Sequence, residues 1–306
     1  IGCALSTSIE SLWFFRALQG VGGGAGSVVA RAMVRDLYEG AEAQRVMATV
    51  QILFGIAPAI APMIGGLLLG FHWQGIFIFL ALYAAVSIYM GSKILPETMT
   101  KNMLVPITFT GIIERYKSLL INKEFILLIL SVSANFSAFF IYVLASPVFL
   151  IDHLGFTAQQ FGYLFIPTVS GMLIGSFISK KTAGVIKPSS VLKFGYYFMF
   201  CIALSNLLFC SFMPDNAFFN IGFIALYNIG MASVMPIISL AGLDCFPKIR
   251  GTAASGQAFT QMLFASATAG ILVPIVWFST FGLSLGLFFL ISFGLFTITK
   301  TNLWNK

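Results

Sequence analysis

Charged residues are scarce in this sequence: 9% of its 306 residues are Asp, Glu, Lys or Arg, and only ten are acidic. Histidine occurs twice, at His72 and His153, without the neighbouring carboxylates or cysteines that a metal site requires. The four cysteines, Cys3, Cys201, Cys210 and Cys245, form no CxxC pair and lie mostly in apolar segments, where they read as packing residues. A Walker-type loop is missing, as is any His/Asp/Glu cluster, so an enzyme is not expected, nor a metal or a cofactor. What the sequence has in excess is apolar, with 58% hydrophobic residues and 33 phenylalanines. Apolar runs of spanning length recur from end to end and leave no room for a sizeable soluble domain. They are continuous instead of alternating, which points to helices and not to a barrel.

Residues 1–6 (IGCALS) read as the tail of a span already under way, so the chain is expected to begin inside a helix. Nine full spans follow, at about 11–33, 46–70, 73–95, 125–149, 157–179, 191–212, 217–240, 252–277 and 281–299. The expected class is therefore an all-α membrane protein with one partial and nine full transmembrane helices. The one long connection, 96–124, mixes charges with apolar positions such as Ile112, Ile113 and Tyr116. It reads as a linker with an interfacial amphipathic helix between two helical groups, 1–95 and 125–306.

Charge supports this division. With alternate loops on alternate sides, 16 of the 17 basic residues fall on one side, which the positive-inside rule makes cytoplasmic together with the C-terminus. The opposite loops carry Glu10, Asp152 and Asp215 as their charged residues. Topology thus explains the net charge of +7 without a nucleic-acid partner.

The seventeenth basic residue is Arg16, five residues into the first full span. At helical spacing Arg16, Gln19, Gly20, Gly23, Gly24 and Ser27 share one stripe of small and polar residues. An arginine at membrane depth costs at least ~2.5 kcal/mol, so it should face a protein interior or wet cavity, or else snorkel to the nearer headgroups. A second stretch, residues 51–70, places Pro58 and Pro62 four residues apart, so a bend is expected. Gly55, Ala59, Gly66 and Gly70 keep one side of that helix bare for close approach. None of the ten acidic residues lies at mid-span. Uncharged polar groups do, and Asn135, Tyr142, Asn228, Gln257 and Gln261, with Phe15 among the aromatics, are the candidates for a substrate cavity or for interhelical contacts. A faint internal echo relates Asp36–Arg45 to Asp244–Arg250, each followed by a small-residue helix.

Several stretches carry a resemblance. FFRALQG (14–20) resembles the RxxQG motif in the fourth helix of the major facilitator superfamily, and GIAPAIAPMIGG (55–66) resembles the fifth-helix motif of its drug:proton antiporters, with alanine for glycine before Pro62. ARAMVRDLYEG (30–40), ILPET (94–98) and ASPVFLIDHLGFTAQQFG (145–162) are similar to the bicyclomycin/chloramphenicol resistance (Bcr/CflA) efflux family. The resemblance implies a twelve-helix bundle in the bacterial inner membrane, of which this chain would hold the third to twelfth helices. It also implies export of drug-like small molecules in exchange for protons, by a monomer that uses the proton gradient. On that mapping Arg16 and Gln19 would couple proton and substrate. Asp36 would belong to a charge cluster that latches the halves, its partners lying in a loop upstream of Ile1. Gly55, Pro58, Pro62, Gly65 and Gly66 would form the antiporter-motif helix. A transporter of a metabolite such as an amino acid or sugar, and an inactive truncated fragment, are the alternatives.

Overall fold

The computed structural model describes residues 1–70, 72–98, 108–157, 160, 162–213 and 216–305, without the side chains at 58, 59, 62, 63, 66 and 69. Its long helices are α1 (Ile9–Leu37), α2 (Gly40–Leu69) and α3 (Gln74–Ile94), the short α4 (Phe109–Ile121), then α5 (Lys123–Leu144), α6 (Gly162–Thr182), α7 (Pro188–Phe212) and α8 (Ala217–Asp244). Helix α9 (Arg250–Ala267) continues through a π-helical turn, Thr268–Leu272, into α10 (Val273–Val276), and α11 (Thr280–Thr299) is followed by α12 (Asn302–Asn305). A second π-helical turn, Val148–His153, extends α5. Each of the nine expected spans coincides with a helix or, for 252–277, with the run from α9 to α10. Among the described residues, seven are both long and apolar enough to cross a membrane. At 29 and 30 residues α1 and α2 also have the length, roughly 45 Å at 1.5 Å per residue, although Arg16, Gln19 and the glycines dilute the hydropathy of α1. Residues 1–6 form one hydrogen-bonded turn, Leu5 N donating to Ile1 O at 3.2 Å.

Local chemistry starts several helices where the apolar runs begin. Ser8 and Ser11 make a reciprocal capping box at α1, and Thr108, Asn122, Asn216 and Ser279 each accept a backbone N–H at the starts of α4, α5, α8 and α11. The expected amphipathic helix of the linker is α4. Its Leu119 is buried against Phe125 and the Ala253–Ala254 face of α9, while Tyr116 and Ser255 hydroxyls meet at 2.7 Å.

Helices α5–α11 pack into one core with fully buried Tyr142, Tyr196, Tyr227 and Phe149 at its centre. The tightest approach is between α6 and α8, where a Cβ on Gly171 or Gly175 would fall inside the Ala225 or Ile229 carbonyl oxygen. Helices α1–α3 are placed differently. The end of α1 that carries Val34 packs with Ala43 and Met47 of α2 against Leu240 of α8, and α2 lies along α6. Towards the opposite end α1 is exposed: Trp13, Phe14, Leu18 and Val21 have no cover, and Gly20, Gly23 and Gly24 have open space around them. The backbone of α2 is helical from Gly40 to Leu69 through both prolines, and only the backbone is described at Pro58, Pro62 and Gly66.

Candidate functional site

The two groups meet at the basic end of the bundle, and charge joins them. Adjacent residues of α1 pair in opposite senses: Arg35 donates to both carboxylate oxygens of Asp244, at 2.6 and 3.1 Å, while Asp36 accepts from Arg250 Nη1 at 2.9 Å. Arg35 also donates to the Tyr38 carbonyl at 3.0 Å, which fixes its side chain over the end of its own helix. Asp36 gains a weaker bond from Thr98 Oγ1 at 3.4 Å. Helix α2 adds two contacts to the α6 side: Gln44 Nε2 donates to Ser179 O at 3.1 Å, and Arg45 Nη2 donates to Ala183 O at 3.0 Å. Gly184, at φ 78°, turns the chain tightly against Ala41 there. Between these contacts lies a cleft of about 500 Å³ whose walls include Arg35, Gln44, Lys187, Ile237 and Asp244.

One turn further along α1, Arg31 donates to Gln261 of α9 at 3.3 Å, and Gln257 accepts from Ser239 of α8 at 3.1 Å. Thus Gln261 bonds across the seam between the groups, while Gln257 bonds within α5–α11 and lines a small cavity together with Arg31. Asn135 and Tyr142 do not reach the seam: both are interior to α5–α11. Asn135 donates to Tyr196 at 2.7 Å, and the Ser131 hydroxyl also bonds Tyr196. Tyr142 accepts from Asn206 at 3.1 Å. Asn228 is fully buried beside Gly171 of α6, with neither amide atom partnered.

Arg16 lies on the exposed part of α1. It donates to Gln19 at 2.7 Å and stands 5.9 Å from the centre of the Phe77 ring of α3, so the two motif residues do share a face. Phe15 packs on the turn at Gly2. Gly55 is buried against Met172 of α6, whereas Gly65 has open space. The charge partners of Asp36 and Arg35 were not singled out by sequence reasoning, nor were Arg31, Gln44 and Arg45. The faint echo between Asp36–Arg45 and Asp244–Arg250 contained Asp36, Asp244 and Arg250 but not Arg35, and did not show which of them pair.

The human organic anion transporter MFSD10 superposes with a TM-score of 0.73 at 18% identity, covering 97% of this chain and 72% of that one. The chain belongs to the Major Facilitator Superfamily, whose description matches residues 1–269, and is a multi-pass membrane protein of a family of transporters, not enzymes. Within it, the chain is 29% identical to a bicyclomycin resistance protein homolog of Haemophilus influenzae over 81% of its length and 26% identical to multidrug resistance protein D of Escherichia coli, also over 81%. The chain spans 63% and 62% of the length of those two relatives.

Proposed function

We propose that this chain is the larger part of a drug exporter of the bacterial inner membrane that works by proton antiport and alternating access. The observation that carries this reading is the crossed pair of ion pairs, Arg35–Asp244 and Asp36–Arg250. Each is partly exposed, and such pairs contribute only about 0.2–1 kcal/mol. Contacts of that size fix the register of two moving bodies and still break and re-form within a transport cycle. On this reading α1–α3 belong to one half and α5–α11 to the other, 96–124 links them, and the basic end is cytoplasmic and closed. Asp36 acts as a latch residue. Arg16 and Gln19 couple substrate to protons, drug-like molecules pass between the halves, and the monomer needs no cofactor.

The resistance proteins among the relatives support drugs as the substrate class. The exposed α1 stripe around Arg16 supports a role beyond packing, because its guanidinium bonds Gln19 of its own helix and stands over Phe77 of α3, and makes no hydrogen bond or ion pair to α5–α11 among the described residues. The test uses the native protein in inverted membrane vesicles, with drug-dependent proton release followed by a pH-sensitive dye. Wild-type exchange that is lost in Arg16→Ala at equal membrane level supports the reading. Full exchange in the variant removes Arg16 from the mechanism, and no exchange in the wild type with any of several unrelated drugs overturns the function.

A further inference from the structure

Four charges at the seam cancel in pairs, Arg35 with Asp244 and Arg250 with Asp36. Arg31, roughly 6 Å deeper along α1 at 1.5 Å per residue, adds a further positive charge that makes no ion pair among the described residues, Asp36 and Asp244 being already engaged. It is partly buried and opens on a small cavity of about 20 Å³ that Gln51, Ser239, Gln257 and Gln261 also line.

The polarity of that lining follows from the direction of its hydrogen bonds. Gln261 Oε1 accepts from Arg31, and Gln257 Oε1 accepts from Ser239 Oγ. Both amide oxygens are therefore engaged, and both Nε2 groups are left with protons to donate. Together with the remaining N–H groups of Arg31, they put donors and an unpaired positive charge on one side of the cavity, while the apolar Met47, Val132, Met235 and Pro236 line much of the rest. That polar side attracts an anion and offers little to a cation. The volume suits one particle of about the size of water, which is the size class of a halide ion or of a single carboxylate oxygen.

The geometry points to an anion site in the seam, where Arg31, Gln257 and Gln261 hold either a free halide ion or a carboxylate oxygen of a transported molecule. The lining comes from both helical groups, so the site is complete only when the basic end is closed, and an occupant stabilises that closed state. The carboxylate alternative rests on the transport reading above, and the halide alternative stands without it.

The experiment is thermal unfolding of the native protein, extracted from its own membrane into detergent. Sodium chloride is compared with sodium methanesulfonate at equal ionic strength, and then, in methanesulfonate, salicylate with its uncharged analogue salicylamide. A saturable rise in Tm with chloride identifies a free ion as the occupant. A saturable rise with salicylate, absent with salicylamide and with chloride, identifies a substrate carboxylate. Arg31→Gln should abolish either rise and Arg31→Lys should retain part of it. If Arg31→Gln does not fold, the double variant Gln257→Leu/Gln261→Leu should remove the same response. No saturable rise with either anion, or a rise of equal size in the folded variants, overturns the site. Drug export by a protein that shows no anion response would sink this inference alone. A chloride response in a protein without export would sink the transport reading and leave the halide site in place.

Discussion

Helices α3 and α8 are equally apolar, yet none of the most apolar stretch of α3 is buried while 72% of that of α8 is. In a soluble protein such a difference would be a contradiction, because apolar surface alone drives burial. In hydrocarbon it teaches what does drive it, since lipid tails solvate leucine as well as another helix does. Helix α8 is buried where it offers close backbone approach or hydrogen bonds: Gly230 against Met199 and Gly195, Tyr227 to the Asn135 carbonyl, and Ser239 to Gln257. Helix α3 presents Leu82, Tyr83, Val86 and Ile88 outward and has no buried residue among those described.

The largest expected effect breaks that comparison at its tightest point. Gly175→Val would push a side chain into the Ile229 carbonyl and should lower stability by about 1–3 kcal/mol. The same change at Gly22 of α1, with open space around it, should leave Tm unchanged in detergent unfolding. Equal losses at the two glycines would show that α1 is as tightly packed as α6.

Asn228→Val tests the opposite sign. Both amide atoms of Asn228 are buried without partners, and an unsatisfied polar group costs about 1–3 kcal/mol, so the variant should raise Tm. A drop would mean that the amide holds a ligand or water in the native protein. Tyr196→Phe removes the hydrogen bonds to Ser131 and Asn135 and should cost roughly 0.6 kcal/mol for each of them, read by the same unfolding measurement.

The smallest energies belong to the seam between the groups. Asp36→Asn weakens the pair with Arg250 by at most about 1 kcal/mol, so the closed-to-open ratio should fall up to about fivefold with little change in Tm. Cys245, at the end of α8 beside this seam, can report the change in a Cys201→Ser background. Burial, with Glu124 and Asp244 nearby, pushes its thiol up to about 11, so thiol reagents should modify it slowly at neutral pH and faster as pH rises. Opening of the basic end should speed its modification in Asp36→Asn relative to the parent. An unchanged rate would mean that the ion pairs do not control access there.

Much of the bundle was legible in the sequence because its signals are local. Apolar runs gave nine spans, and the mixed charge and apolar pattern of 96–124 gave the amphipathic helix, which the fold places at Phe109–Ile121. The pairing of Arg16 with Gln19 also follows from spacing along one helix. The seam was not legible: Arg35 and Asp244 lie 209 residues apart, and Arg31 and Gln261 lie 230 apart. In sequence Arg31 and Arg35 look like two more basic residues at the end of a span.

The sequence by itself determined that this chain is a helical membrane protein and where its helices run, because bilayer thickness and the cost of unsatisfied backbone act on each segment separately. The tertiary structure decided which polar residues serve packing and which face the other group: Asn135 and Tyr142 turn inward, while Arg31, Gln257 and Gln261 meet across the seam. Lipid and protein are equally good solvents for an apolar face. Only the fit of small residues and the matching of donors to acceptors between distant segments selects one arrangement, and that information exists only when the helices are together.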